Sequence, residues 1–227
     1  MEQKRAATLA RLLLDRARRR EAVQGILDEL AAVPLSALVT DLRDTAERRA
    51  FWIEIYNATA LIAMADGVDL RRPCARLRHF ARRRLVVAGV PLSLNEIEHG
   101  MLRSSKLWWA MGHLNDPFPS KFERLLRVPL DPRIHFALNC GAASCPPIAH
   151  YNGPRLDEQL EIAAASFLEG TRYDPGKNIV LVSRLLLWYG RDLGGRPGIL
   201  RLLQHHGLLP AEADPRIAFQ HYDWGRA

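Results

Sequence analysis

No apolar run in the 227 residues approaches the roughly 20 that a membrane-spanning helix needs, which excludes a helical membrane protein. The opening MEQKRAATLARLLLDRARRR offers only Leu12 to Leu14 as an apolar core, too short for a secretory leader, so the expected compartment is the cytoplasm. Cysteine is scarce. Cys74, Cys140 and Cys145 are an odd, small set that argues against a disulfide framework and for reduced thiols. Glycine forms no phosphate-cradling loop, because Gly194-Gly195 stands alone. Lysine is scarce too: 4 against 28 arginines, so the net charge of +7 rests on arginine. The basic runs Arg16–Arg20 and Arg82–Arg84 lie on or beside segments with helical apolar spacing and read as solvated faces. No zinc-finger or RNA-recognition motif accompanies them, so a nucleic-acid partner is not favoured and an anionic-surface binder is only a third reading.

What remains is an ordinary globular composition, 48% apolar and 25% charged, enough for one sizeable core. Residues 2–33 carry leucines at helical spacing, interrupted by Pro34, with Leu35, Leu38 and Leu42 continuing as a short helix. Ala50 to Met64 is the most apolar helix, stopped by Asp66-Gly67. Pro73 suits the first turn of another helix, with Leu77 and Phe80 expected on its buried side. Leu85 to Leu92 predicts two short strands around Ala88-Gly89, and Ser93-Leu94-Asn95-Glu96 a capping box opening a helix to about Arg103.

Further on, Ile134 to Cys140 predicts a strand, followed by a loop through Pro146-Pro147. Leu156 to Leu168 reads as a helix, Asn178 to Val182 as a strand, Ser183 to Tyr189 and Ile199 to His206 as helices, and Ile217 to Tyr222 as a closing strand. The expected fold class is α+β, with helices packed on a small, mostly antiparallel sheet. Residues 1–35 form an N-terminal helical extension and residues 36–227 a single domain.

On a wheel at about 100° per residue, Glu96, His99 and Arg103 share one side of their helix, whereas Glu98 falls in the apolar sector. A carboxylate buried there needs hydrogen-bond or ion partners. Cys140 ends the predicted strand and is followed by Gly141-Ala142, whose small side chains would leave N–H donors open to an oxyanion. Strand alternation aims His135 away from Cys140, which makes His99 the expected base. The spacing Cys140, Cys145, His150 is loose for zinc and lacks a fourth ligand, so no metal and no cofactor are expected. His205-His206 is read as complementing a helix dipole.

The stretches FWIEIYNA, IEHGMLR, DPRIHFALNCGAASCPP, LLLWYGRDLG and the terminal YDW resemble, in order over about residues 40–226, the domain of unknown function 547 family. The resemblance implies positions rather than a reaction. It draws attention to Tyr56, Asn57, Glu98, His99, Arg103, His135, Cys140, Cys145, Tyr189, Asp223 and Trp224. Plant members resemble this chain at Cys140 and carry serine where Cys145 stands, which implies neither an obligatory disulfide nor zinc.

The leading expectation is a cysteine-dependent hydrolase or acyl transferase, with Cys140 as nucleophile, His99 as base and Glu98 orienting it. Arg103, Asn139, Gly141, Ala142, Ser144, Tyr56 and Asn57 are the substrate-binding candidates. The alternative is a non-catalytic module for a small-molecule or peptide ligand.

Overall fold

A computed structural model describes residues 5–110 and 112–226, and the first residues of the predicted 2–33 helix lie outside the described ones. That helix is broken in two: α1 (Arg5–Arg19) and α2 (Gln24–Ala32) are separated at Arg20, which turns with φ 56°. α3 (Leu35–Asp41) follows Pro34. α4 (Thr45–Ala65) is capped by Asp44, whose side chain accepts from the Glu47 N–H at 2.9 Å. Every residue from Ala50 to Ala60 is buried, so α4 is the central post of the fold rather than a one-sided surface helix. α1 packs along it, and Leu9, Leu13 and Leu14 join Phe51, Ile55 and Ala58 in the main core.

α5 (Pro73–Ala81) begins with its proline at the first turn as expected, but Leu77 is exposed and His79 is the side chain it buries. β1 (Leu85–Val87) and β2 (Val90–Leu92) form the expected antiparallel hairpin. Ala88 (φ 48°) and Gly89 (φ 76°) make its left-handed two-residue turn, and their N–H groups dock on the carbonyls of Leu30 and Ala31.

The capping box is formed. Ser93 N–H donates to Glu96 Oε2 at 2.8 Å, and Glu96 N–H donates back to Ser93 Oγ at 3.3 Å. The helix it opens, Glu96–Leu102, is a π-helix, with Arg103 N–H bonded to Glu98 O and Ser105 N–H to Gly100 O.

α6 (Lys121–Leu126) leads to the largest departure from expectation. Ile134 to Cys140 is no strand. Asp131 accepts from the Arg133 N–H, Pro132 takes the first position, and Pro132–Phe136 winds as a 3₁₀ turn. All seven residues from Ile134 to Cys140 are buried, so no face alternates. Asn57 on α4 replaces the missing partner strand: its Nδ2 donates to Ala137 O at 3.0 Å and its Oδ1 accepts from Asn139 N–H at 2.8 Å.

α7 (Leu156–Leu168), β3 (Arg172–Asp174), β4 (Ile179–Val182), α8 (Leu185–Trp188), α9 (Gly195–His205) and β5 (Arg216–Phe219) complete the chain. β4 pairs antiparallel with β3 and parallel with β5, and α7, α8 and α9 pack a second core around β4. The α+β class holds, with two small sheets among the described residues and one parallel pair among otherwise antiparallel ones. Among the described residues no helix is long and apolar enough to cross a membrane.

Candidate functional site

The two cores and a small third cluster around Cys140, Ala142 and Tyr222 meet at one cavity of about 60 Å³. Tyr56 from α4, Glu98 from the π-helix, His135 from the 3₁₀ turn, Cys140 and Cys145 from the loop, Tyr189 after α8 and Tyr222 near the C-terminus line it. An outer chamber of about 270 Å³ shares Glu98, Trp188, Tyr189 and Trp224 with it and adds His99, Arg103 and Trp108.

Glu98 is buried as the apolar sector required, but its partners are tyrosines rather than an arginine or the backbone. Tyr56 donates to Oε2 at 3.1 Å and Tyr189 to Oε1 at 2.5 Å. Burial opposes its charge; the neighbouring His99, the Tyr189 hydroxyl and the Arg103 guanidinium outweigh this and hold the carboxyl below its ordinary range. Glu98→Ala should therefore lose about 1–3 kcal/mol, because the Tyr56 and Tyr189 hydroxyls in the cavity wall lose their acceptor. Urea denaturation beside Glu98→Gln, which keeps an acceptor, separates this from loss of volume.

Behind Glu98 lies a second carboxylate that the sequence reading missed. Asp192 Oδ2 accepts from Arg103 Nε at 2.6 Å and from His135 Nε2 at 2.9 Å, with all three side chains 1% exposed. Burial works against the Asp192 charge, and the hydrogen bonds from His135 and Arg103 prevail, placing its carboxyl far below the usual range. Arg103 Nη1 also meets His99 Nδ1 at 2.6 Å. A guanidinium only donates, so Nδ1 of His99 accepts and its proton sits on Nε2, which lies 4.0 Å from Glu98 Oε1. His99 makes no hydrogen bond to Cys140, lines the outer chamber only, and has its one lone pair occupied. The expected pairing of His99 with Cys140 is not made in this arrangement. Burial and the Arg103 charge also push His99 down to about 4.

His135, unlike His99, lines the inner cavity with Cys140. It was predicted to face away from Cys140, yet without a strand there is no alternation to turn it, and both line the cavity. His135 stacks on Tyr189 with ring centroids 3.7 Å apart, and burial lowers its pKa. With Nε2–H given to Asp192, its Nδ1 carries a free lone pair, buried and without a partner.

Cys140 Sγ lies 2.9 Å from Cys145 Sγ. Cys145 Sγ also receives the Cys140 N–H at 3.2 Å and stands 3.3 Å from the Tyr222 hydroxyl. The hydrogen bond with Cys145 and burial raise the Cys140 thiol well above its usual value. The bond from Cys140 outweighs burial at Cys145 and, with Tyr222 and the N–H groups of Cys140 and Ala142, brings Cys145 down to about 6. The two titrate as a pair, and these contacts favour placing the negative charge on Cys145.

Of the proposed oxyanion donors, Gly141 is excluded, since its N–H donates to Asn139 Oδ1 at 2.7 Å. Gly141 has φ 96°, and a Cβ there would sit 2.4 Å from Met64 Cγ, so glycine is required for the loop to close on α4. Asn139, Asn57 and Ser144 shape the loop rather than face the cavity: Asn139 Nδ2 donates to Pro146 O, and Ser144 Oγ accepts from Asp223 N–H. The C-terminal segment pins the same loop through Ala143 N–H to Gly225 O, which brings Tyr222 and Trp224 to the cavity wall. His79, also unforeseen, donates through Nε2 to Cys140 O at 3.1 Å. The spacing Cys140, Cys145, His150 does not converge on a metal position. His150 lies between Glu54 (3.1 Å) and Asp15 (3.0 Å), tying α4 to α1.

A family model described as "Protein of unknown function, DUF547" matches residues 39–168. No curated protein and no solved structure matches the chain. The matched span contains Tyr56, Glu98, Arg103, His135, Cys140 and Cys145, whereas Tyr189, Asp192 and Tyr222 lie beyond it.

Proposed function

The chain belongs to the DUF547 family, whose description names no reaction, and from the geometry of the cavity we propose that it transfers a small acyl group through a cysteine thioester, to water or to another acceptor. The observation that carries the proposal is the thiol pair. Cys145 Sγ meets the Cys140 N–H, the Cys140 sulfur and the Tyr222 hydroxyl, contacts that favour its thiolate, and a free imidazole lone pair lies in the same wall.

Cys145 attacks the carbonyl carbon, with the Tyr222 hydroxyl and the Ala142 N–H as nearby donors for the developing oxyanion. Collapse expels the leaving group, which takes the proton of Cys140. His135 Nδ1 then accepts a proton from water, whose oxygen attacks the thioester and releases Cys145 as thiolate. The imidazolium returns its proton to Cys140, and the cycle closes with one ester or amide hydrolysed per water. Asp192 holds His135 in the required tautomer, and Arg103 neutralises Asp192. The inner cavity of about 60 Å³ suits a short acyl chain, with the outer chamber receiving the leaving group.

p-Nitrophenyl acetate tests this reading. The protein should release nitrophenol with turnover and carry a transient acetyl adduct on Cys145; Cys145→Ala should abolish both. His135→Gln should let the adduct accumulate. If neither Cys140 nor Cys145 is acetylated by the ester, the reading fails, and the cavity is then a binding site without covalent chemistry.

A further inference from the structure

Far from the thiol pair, α7 and the end of α9 bring three ligand atoms together. Glu161 Oε1 lies 2.9 Å from His205 Nε2 and 3.6 Å from His206 Nε2, and the three ligand atoms all fall within 4.8 Å of one another. We infer that Glu161, His205 and His206 form a binding site for one divalent transition-metal ion, zinc before others.

His206 is the observation that separates this from a surface ion pair. Its side chain is only 9% exposed, and Nε2 is wholly buried without a hydrogen-bond partner although it points at a carboxylate. At 3.6 Å it is too far to donate well, and as a lone pair it faces no donor. A cation between it and Glu161 satisfies both. Zinc bonds nitrogen and carboxylate oxygen at about 2.0–2.1 Å, so two ligands of one tetrahedral ion stand about 3.3 Å apart. The separations of 2.9 and 3.6 Å bracket that edge. Two imidazoles and one carboxylate are the donor set of open zinc sites, with water completing the tetrahedron.

The neighbouring cation does not oppose this. Arg133 lies 3.5 Å from Glu161 Oε2, but its charge is matched by Asp131 at 2.9 Å and Asp157 at 2.7 Å. The ion would staple α7 to α9 across the second core. The sequence separation of 44 between Glu161 and His205 hides this convergence from any local spacing rule.

The experiment is a titration of the chelator-treated chain with Co²⁺ and Zn²⁺. One equivalent of Co²⁺ should give the visible absorption of a four-coordinate ion, Zn²⁺ should displace it, and the midpoint of thermal unfolding should rise. His205→Ala removes an exposed ring and leaves the fold unchanged by circular dichroism; it should weaken Co²⁺ binding at least tenfold. Glu161→Gln should do the same. No binding above that of the buffer overturns the inference. So does binding unchanged in His205→Ala, or a near-ultraviolet sulfur-to-cobalt band lost in Cys145→Ser, which would put the metal on the thiols.

Discussion

Lowering the pH from 7 to 4.5 should remove several kcal/mol of stability, although no carboxylate of ordinary pKa needs to protonate in most of that interval. Burial, followed by the charge of Arg84 at His79 and of Arg103 at His99, brings both imidazoles down to about 4. Burial lowers His135 as well. In the unfolded chain the same groups titrate near about 6.5. Between these values the unfolded state binds more protons than the folded one, so stability falls as pH falls. A separation of about 2.5 pH units at about 1.4 kcal/mol each is on the order of 3 kcal/mol per histidine by full acidification. Set against about 5–15 kcal/mol for a typical domain, that is a large share.

Asp192 and Glu98, both held low, extend the loss as pH drops further through the unfolded carboxylate range. Glu54 acts in the opposite sense, because burial raises its pKa and the folded state then gains a proton first. Urea midpoints at pH 7, 5.5 and 4.5 check the prediction. A midpoint that stays constant down to pH 4.5 would mean that these histidines are solvated.

Arg103→Met should cost about 3–5 kcal/mol, the usual penalty for stranding one member of a buried ion pair. Methionine keeps most of the stem, so the loss comes from Asp192, which among the described residues would retain only His135 as a side-chain donor at a site 1% exposed. Arg103→Lys should recover little. One ammonium cannot both donate to Asp192 Oδ2 and reach His99 Nδ1 along the two directions that a guanidinium fork provides. The double variant Arg103→Met/Asp192→Asn should be less destabilised than the sum of its singles, since the stranded charge is gone. Chemical denaturation of the four proteins gives the coupling directly. Additivity within about 0.5 kcal/mol would show that the two charges are solvated and do not pair.

Where the sequence carried its own local signal, the fold was legible. Asp66-Gly67 stops α4, Ala88-Gly89 turns the hairpin, and Ser93 with Glu96 caps the π-helix, each through bonds within a few residues. The misreadings share one cause: a distant group supplied what local pattern was assumed to supply. Ile134 to Cys140 alternates in polarity like a strand, but Asn57, some 80 residues away, satisfies its backbone. Arg103 and His99 fall together as the wheel placed them. The side they share is buried, because Asp192, 89 residues on, draws the guanidinium inward. Cys140, singled out from the sequence, lines the cavity. Its contacts with Cys145, and those of Cys145 with Tyr222, were not legible, since loop closure and the C-terminal segment set them.

The central claim is that the thiol pair carries its negative charge on Cys145 at neutral pH. The direct test is the pH dependence of alkylation by limiting iodoacetamide, followed at each cysteine by mass spectrometry, with exposed Cys74 as reference. Labelling at Cys145 should rise with a midpoint near 6, while Cys140 stays unlabelled through neutral pH. Labelling of Cys140 ahead of Cys145, or a Cys145 midpoint at the free-thiol value of about 8.5, would contradict it.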